Sequence, residues 1–454
     1  MFVEAHELGP SGRLSIAVVG TGVSGLSAAW LLSGRHEVTV FESEPRPGGH
    51  CCTIETGTAT NPAPVDMGFI VFNDVTYPNL TALFAALRIA TKPSEMTFAV
   101  SLDNGRLEYS GTDLAGLLAQ KRNLASPRFW AMLRDLLRFY REAPRDIAGL
   151  GLVALRDYLD SRGYGRAFRE DHLYPMAAAI WSVPVGKVGD YPAAAFVSFC
   201  DNHGLLKISG RPAWRTVEGG SQTYVEALCA RFRDRLRLGS PVRSIRRGLD
   251  GAFIAAGDDS EERYDAVVIA AHADQALALL ADPTVEERRL LGAFRYSRNH
   301  AVMHADDRLM PRRRRVWSSW NYLGRRGRDG ASVSATYWMN RLQGLPDARA
   351  RFVSLNPFLA PRAELVIERR DFQHPIFDAP ALAAQDELWS LQGRRATWFC
   401  GAYFGAGFHE DGLQAGLAVA ESVGGVRRPW RVRDESGRIK MHAARHVSAA
   451  ALTS

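Results

Sequence analysis

Four residues near the start of the chain have the types and spacing for nucleotide chemistry. Gly20, Gly22 and Gly25 form a Gly-x-Gly-x-x-Gly run, and Glu42 stands 22 positions after the first of them. Gly20 permits a tight turn, Gly22 lets backbone approach a pyrophosphate, and Gly25 lets a helix pack closely on a strand. An acid at the position of Glu42 accepts hydrogen bonds from ribose hydroxyls. These roles need elements to position them. Ile16–Val19 is an apolar run of strand length, and Leu26–Leu32 is an Ala/Leu-rich stretch with helical periodicity. Val38–Phe41 is a second strand running into Glu42 and Ser43. The helix start offers free N–H groups and its positive dipole end to phosphates. Together these features predict a βαβ dinucleotide-binding unit.

A loop, Arg46-Pro47-Gly48-Gly49-His50, follows Glu42. Here the chain resembles the flavin-containing amine oxidoreductase superfamily (monoamine oxidases, phytoene desaturases, protoporphyrinogen oxidases). That family follows its ribose-binding acid with a short loop ending in Gly-Gly, which wraps the ribityl-pyrophosphate of FAD. Arg is usual after the glycines; this chain has His50. A second element, Asp66-Met67-Gly68-Phe69, is similar to the Asp-x-Gly segment that runs past the isoalloxazine. A third lies nearly at the other end of the chain. Thr397–Ala402 reads as a strand containing Gly401, Tyr403–Gly412 as a glycine-rich turn, and Leu413–Val423 as a helix. In the superfamily this unit cradles the ribityl and aims a helix N-terminus at the flavin O2 side, a dipole that stabilises anionic reduced flavin.

The resemblance implies an FAD site made by Gly20, Gly22, Val23, Ser24, Gly25, Glu42, Ser43, Gly48, Gly49, His50, Asp66, Gly68, Phe69, Val242, Gly401, Gly412 and Leu413. Val242 lies in a predicted strand, Pro241–Ile245, that offers backbone to the adenine. No residue is marked for covalent attachment, so the FAD is expected to be non-covalent. The implied fold is α/β: a doubly wound Rossmann-like FAD-binding domain with a discontinuous mixed α+β substrate domain. The expected division is 14–76, 205–275 and 390–425 for the FAD domain and 77–204 and 276–389 for the substrate domain. Residues 426–454 are expected to be a peripheral C-terminal tail.

Composition fits two domains with large cores: 454 residues, 46% hydrophobic. No run approaches the length of a membrane span, and Met1–Arg13 lacks a cleavable leader pattern. Five cysteines without a CxxC spacing point to a reducing compartment, with no metal site expected. The vicinal Cys51-Cys52 pair reads as buried inert thiols or as a redox pair. A cytoplasmic protein follows, soluble or peripheral on the inner face of the cytoplasmic membrane. The net charge of +7 comes from arginine, since only five lysines are present. No nucleic-acid motif accompanies it, which excludes nucleic acid as a partner and leaves an anionic membrane surface or an arginine-biased composition. Arg312–Arg315 next to Trp317 and Trp320 read as an interfacial patch or as a solvated face. The oligomeric state is not readable from the sequence.

No second Gly-x-Gly-x-x-Gly sits in a βαβ context, and Gly324-Arg325-Arg326-Gly327 does not qualify. The flavin is therefore expected to be reduced by an organic substrate rather than a nicotinamide, and reoxidised by oxygen, a quinone or another protein. Gly48-Gly49-His50, Gly68–Asn73, Trp214–Ser221, Trp317–Tyr322 and Phe408–Leu413 match a bacterial branch of the superfamily. Members of that branch resemble partners of cyclopropane-fatty-acid-synthase-type methyltransferases and act in making methylated and furan fatty acids. The resemblance implies a lipid or fatty acyl substrate and a methyltransferase partner. Trp181, Trp214, Trp317, Trp320, Tyr322 and Trp338 either line an apolar tunnel for such a chain or are ordinary core. His409, Glu410 and Tyr322 are the candidate proton-transfer residues. Two other readings stay open. One is a small-amine oxidase, although none of Lys92, Lys121, Lys187, Lys207 and Lys440 lies in a matching motif. The other is a non-catalytic flavoprotein.

Overall fold

The computed structural model describes residues 12–441 except 59, 182–184, 203, 208–209, 249, 258–259, 328–329 and 347–348. Its chain runs β1 (Ser15–Val19), α1 (Val23–Leu32), β2 (Glu37–Phe41), α2 (Pro78–Leu87), β3 (Phe98–Leu102), β4 (Leu107–Ser110) and α3 (Pro127–Leu150). There follow α4 (Ala193–Asn202), α5 (Gln222–Cys229), β5 (Leu236–Arg237) and β6 (Ala266–Ile269). The last part holds β7 (Arg295–His304), β8 (Trp320–Gly327), β9 (Gly330–Trp338), β10 (Phe352–Leu355), β11 (Val366–Ile376), β12 (Thr397–Phe399) and α6 (His409–Gly424). Shorter pieces connect them.

A five-stranded parallel sheet in the order β5-β2-β1-β6-β12 forms the first layer. Strand β1 is central and its Ile16–Val19 are buried on both faces, as an apolar parallel strand must be. Helix α1 is buried along its whole length, because α6 lies against it as well as the sheet. Small residues make that possible: a Cβ on Gly416 would collide with the Ser24 carbonyl oxygen, and one on Gly412 would press on Val23 and Ser24. The strand at Val242 belongs elsewhere, to an antiparallel meander with Gly251–Ala256 and Glu261–Tyr264.

The second layer is a seven-stranded sheet in the order β11-β7-β10-β9-β8-β3-β4. The β3–β4 hairpin turns at Asp103, Asn104 and Gly105, all with positive φ (49°, 59° and 81°), as the Asp-Asn-Gly sequence predicts. Helix α3 is the longest, capped by the Ser126 hydroxyl, which accepts from the Phe129 N–H, with Pro127 in its first turn. It buries Phe129, Met132, Phe139 and Ala143.

Two hydrophobic cores result. Leu80, Leu83 and Phe84 of α2, with Leu290, Leu291, Phe294, Phe377, Ala381 and Leu388, belong to the core around the parallel sheet. The sequence reading gives all of these to the substrate domain. The described start of the expected tail packs on the first core through Val426, Trp430 and Ile439. Trp430 stacks on Trp30 with centroids 6.0 Å apart, and the buried Arg428 donates to Glu421 and to Asn79 Oδ1 at 3.0 Å. Residues 442–454 of that tail and the side chain of Trp181 lie outside the described part. Among the described residues, no helix is long and apolar enough to cross a membrane.

Candidate flavin site

The carboxyl ends of β1, β2, β6 and β12 open onto a cleft of about 620 Å³. Ligands of doubly wound sheets bind at such strand ends. Gly20, Gly22, Val23, Ser24, Glu42, Ser43, Gly48, Gly49, His50, Gly68, Phe69, Val242, Gly401 and His409 all border it. Two glycines show how backbone shapes the wall. Gly20 has φ +101°, which an L side chain rarely adopts, and a Cβ on Gly25 would strike the Gly20 carbonyl oxygen. Gly22 is the opposite case: a Cβ there would meet nothing within 4 Å and would project into the space above the helix start.

At the far end of β2, Glu42 Oε2 accepts from the Thr21 N–H at 2.9 Å and from the Thr21 hydroxyl, and Oε1 accepts from the Glu44 N–H at 2.9 Å and the Ser43 hydroxyl at 3.1 Å. The two hydroxyls are rotors, so the carboxylate can exchange them for ribose hydroxyls. Opposite this end, buried polar atoms of the cleft lining stand without a protein partner: His50 Nε2, His272 Nδ1 and the Tyr403 hydroxyl. Buried polar atoms are nearly always hydrogen-bonded. A glycine cradle at a helix start, an acid at the strand end and orphaned polar atoms across the cleft fit a dinucleotide carrying a polar ring system.

Five other expected site residues sit elsewhere. Asp66 is buried away from the cleft, accepting from Thr53 Oγ1 at 2.6 Å, Ser221 N–H at 2.9 Å and Gln343 Nε2 at 2.8 Å. Burial raises its carboxyl to about 6 despite those donors. Its role is to tie the loop before Gly68 to the start of α5. Gly412 faces α1 and Leu413 is buried in the first core, because α6 begins at His409 and not at Leu413. The same early start turns Glu410 inward. Its carboxylate accepts from the Asn79 and Leu80 N–H groups at 3.0 Å each and from Asn79 Nδ2 at 2.9 Å, satisfying the start of α2. Glu410 thus fastens one helix to another and does not reach the cleft. Tyr322, on β8, is buried in the second core and does not border the cleft.

The lining holds four histidines: His50, His272, His374 and His409. His409 stacks on Phe69 with centroids 3.9 Å apart. Its Nε2 meets the Tyr224 hydroxyl, with Cys51 Sγ at 3.6 Å, which leaves Nδ1 for a cleft ligand. Burial pushes its pKa down to about 3, so the ring is neutral at physiological pH. Cys51 is 2.7 Å from the same hydroxyl and its thiol is pushed up to about 12 by burial; Cys52 is also buried with its pKa raised. Both read as protonated thiols. His374, on β11, has Nδ1 2.8 Å from Asn299 Nδ2, which fixes it as the Nε2–H tautomer, and burial lowers it to about 4. His272 stacks on Tyr296 at 4.3 Å at the end of β6. His374, Tyr296, Tyr403 and Tyr224 were not candidates from the sequence. Tyr403 opens the glycine-rich turn of the third element, whereas His374, Tyr296 and Tyr224 sit in ordinary alternating or helical patterns that no motif marks.

Fold and cleft together define a two-lobed nucleotide-binding oxidoreductase scaffold of the flavoprotein type. The chain belongs to the flavin-containing amine oxidoreductase family, whose model matches residues 23–308. It thus falls among flavin-dependent oxidoreductases. Similar solved structures include a point mutant of putrescine oxidase from a redesign of its cofactor binding (TM-score 0.66, 15% identity, 91% of this chain and 99% of that one). Cyclohexylamine oxidase from Brevibacterium oxydans IH-35A is similar at TM-score 0.64 and 16% identity, and the CLA-producing fatty acid isomerase from P. acnes at 0.63 and 15%, each covering 91% of this chain and 99% of the other. At these identities the likeness is one of fold. No curated protein matches the sequence.

Proposed function

We propose that the protein is an FAD-dependent oxidoreductase that oxidises or desaturates a fatty acyl chain, with methylated chains of membrane lipid as the substrate class. One observation carries the choice of substrate. Among the described residues, Glu42 is the only formally charged side chain bordering the cleft, and it sits at the nucleotide end. An ammonium substrate in the rest of the cleft would lose its hydration with no carboxylate to replace it. A neutral acyl chain carries no such cost. No lysine borders the cleft, and Lys440 is engaged with Asp386 on the surface. The small-amine reading therefore lacks both a cation partner and the lysine associated with it. The fold likeness to a fatty acid isomerase is consistent with an acyl substrate.

In this reading the N–H groups opening α1 and the backbone of Gly22 hold the pyrophosphate, Glu42 the ribose, Val242 the adenine, and Gly48 and Gly49 the ribityl, without a covalent bond. Bound FAD supplies a hydride acceptor. The chain's own contribution is a dry, ring-lined wall, in which Phe69 and Phe408 exclude water from the reacting carbon. In this reading His409 takes up a proton, and His374, whose Nδ1 accepts from Asn299, holds one on Nε2. Anaerobic mixing with detergent-dispersed acyl lipid is expected to bleach the flavin and yield a product two hydrogens lighter by mass spectrometry. Bleaching by a small-amine panel and not by lipid would overturn the proposal. Mild denaturation should release free FAD; flavin retained on the peptide would contradict non-covalent binding.

A further inference from the structure

The expected membrane patch is not where the sequence puts it. Trp317 points inward, its Nε1 donating to the Pro311 carbonyl at 2.7 Å and its ring edge-on to Trp338 and Phe352. Trp320 packs edge-on to Tyr337, and Arg313 is committed to the buried Glu108. Neither indole is free to meet a headgroup. A different surface forms around what remains.

Arg106, Arg122, Arg312 and Arg313 line a shallow cleft between the β3–β4 turn and the loop before β8, together with Asp103, Asn104 and Gly105. Arg106, Arg312 and Arg315 are exposed and make no ion pair with a described acid. Arg122 donates to the carbonyls of Gly105 and Arg106, which anchors its stem there without cancelling its charge. Beside this cleft the chain exposes apolar side chains that no described residue covers: Leu114 at 76%, Leu124 at 47%, Trp130 at 49% and Leu137 at 52%. The two sets are contiguous. The short helix Leu114–Leu117 packs on Arg314–Val316, Leu124 is two residues past Arg122, and Trp130 Nε1 donates to the Leu124 carbonyl at 2.8 Å. Along α3, Trp130, Arg134, Leu137 and Arg141 fall at i, i+4, i+7 and i+11, one outward stripe alternating ring or leucine with arginine.

We infer that this surface docks the protein on an anionic phospholipid bilayer, with headgroup phosphates in the arginine cleft and Leu114, Leu124, Trp130 and Leu137 among the acyl chains below them. Charge alone suits any polyanion. The exposed apolar stripe selects lipid, because side chains of this size gain by leaving water for a hydrocarbon boundary, which a nucleic acid or a free phosphate does not offer. The opposite face of α3 points at the reaction site. Phe139 packs on Phe196 of α4 with centroids 6.4 Å apart, and Phe199 of α4 stacks on Phe408, which borders the flavin cleft, at 4.6 Å. The docked helix thus backs onto the ring-lined wall through α4, and a membrane acyl chain is met on the side where it is needed; that last point rests on the acyl-chain reading above.

The test is flotation of the flavin-loaded protein with vesicles, measured without turnover, so its failure is separate from that of the acyl-chain reading. Binding to phosphatidylglycerol-containing vesicles should exceed binding to phosphatidylcholine vesicles strongly and fall with salt. The Arg312→Gln/Arg315→Gln variant should lose about twenty-fivefold in partition, at about fivefold for each basic side chain near an anionic surface. Trp130→Ser/Leu137→Ser should also weaken vesicle binding, with flavin absorbance unchanged in both variants because all four residues are exposed. Equal binding to both vesicle types overturns the inference, as does displacement by millimolar inorganic phosphate with no effect of Trp130→Ser/Leu137→Ser. Tighter binding to a single-stranded RNA homopolymer than to anionic vesicles overturns it too.

Discussion

The flavin cleft has two walls of different make. One, from Val19 to Ser24 with Gly48 and Gly49, is backbone: glycines, a helix start and one acid at a strand end. The other is rings: Phe69, His272, Tyr296, His374, Tyr403, Phe408 and His409. The first wall recognises phosphates and sugar, whose geometry is common to every dinucleotide, so fixed backbone suffices. The second has to suit one substrate and one chemistry, which side chains can do and backbone cannot. The difference also shows in titration. Burial lowers the pKa of the cleft imidazoles, to about 4 at His374 and about 3 at His409.

Breaking the backbone wall should have the largest effect. Gly22→Val places a branched side chain in space that now holds nothing within 4 Å, above the helix start. Flavin absorbance should fall to background while the protein stays soluble, since no protein atom is displaced. Full occupancy in the variant would show that the phosphates lie elsewhere.

The ring wall should respond in turnover and not in occupancy. His409→Phe keeps a ring against Phe69 and removes the nitrogen that meets Tyr224. If His409 serves proton transfer, turnover on a dispersed acyl substrate should drop about 10²-fold or more with flavin content unchanged. Unchanged turnover would reduce His409 to packing.

A third expectation concerns pH. His172, His304 and His374 are each lowered to about 4 by burial, against about 6.5 unfolded. Between those values the unfolded chain binds more protons than the native one, so stability is lost as pH falls from about 6.5 toward 4. The slope is up to about 1.4 kcal/mol per pH unit for each histidine. Asp66 opposes this: with its carboxyl raised to about 6, the native state binds the extra proton and its contribution favours acid. Three histidines outweigh one carboxyl, so the melting temperature should decline through this window, and His374→Gln should flatten the decline. A melting temperature independent of pH from 4 to 6.5 would contradict the burial of these rings.

The smallest effect separates Glu410 from the site. Glu410→Ala strips the acceptor from two N–H groups at the start of α2 and should cost about 1–3 kcal/mol of stability. The turnover of molecules that remain folded should be unchanged. A selective loss of turnover at full stability would return Glu410 to the chemistry.

The amino-acid sequence by itself determined the backbone wall. Its parts are local: turn, helix start and strand end all fall between Val18 and Gly49, and the φ or close approach of its own position accounts for Gly20, Gly25, Gly48 and Gly49, while Gly22 leaves open space above the helix start. Local signals were also enough for the β3–β4 turn, where Asp103-Asn104-Gly105 takes positive φ. The ring wall was decided only by tertiary structure. His374 reaches the cleft because β11 lies at one edge of the seven-stranded sheet, and its tautomer is set by Asn299, 75 residues away. Glu410 and His409 are neighbours with opposite fates, because a helix that begins at His409 rotates one residue toward α2 and the other toward Phe69. The same holds outside the cleft. Trp317 and Trp130 are equally apolar in sequence, and only the packing of Trp338 and Phe352 around the first leaves the second to face solvent. Periodicity tells which residues share a face of an element; what covers that face is a property of the distant chain that folds against it.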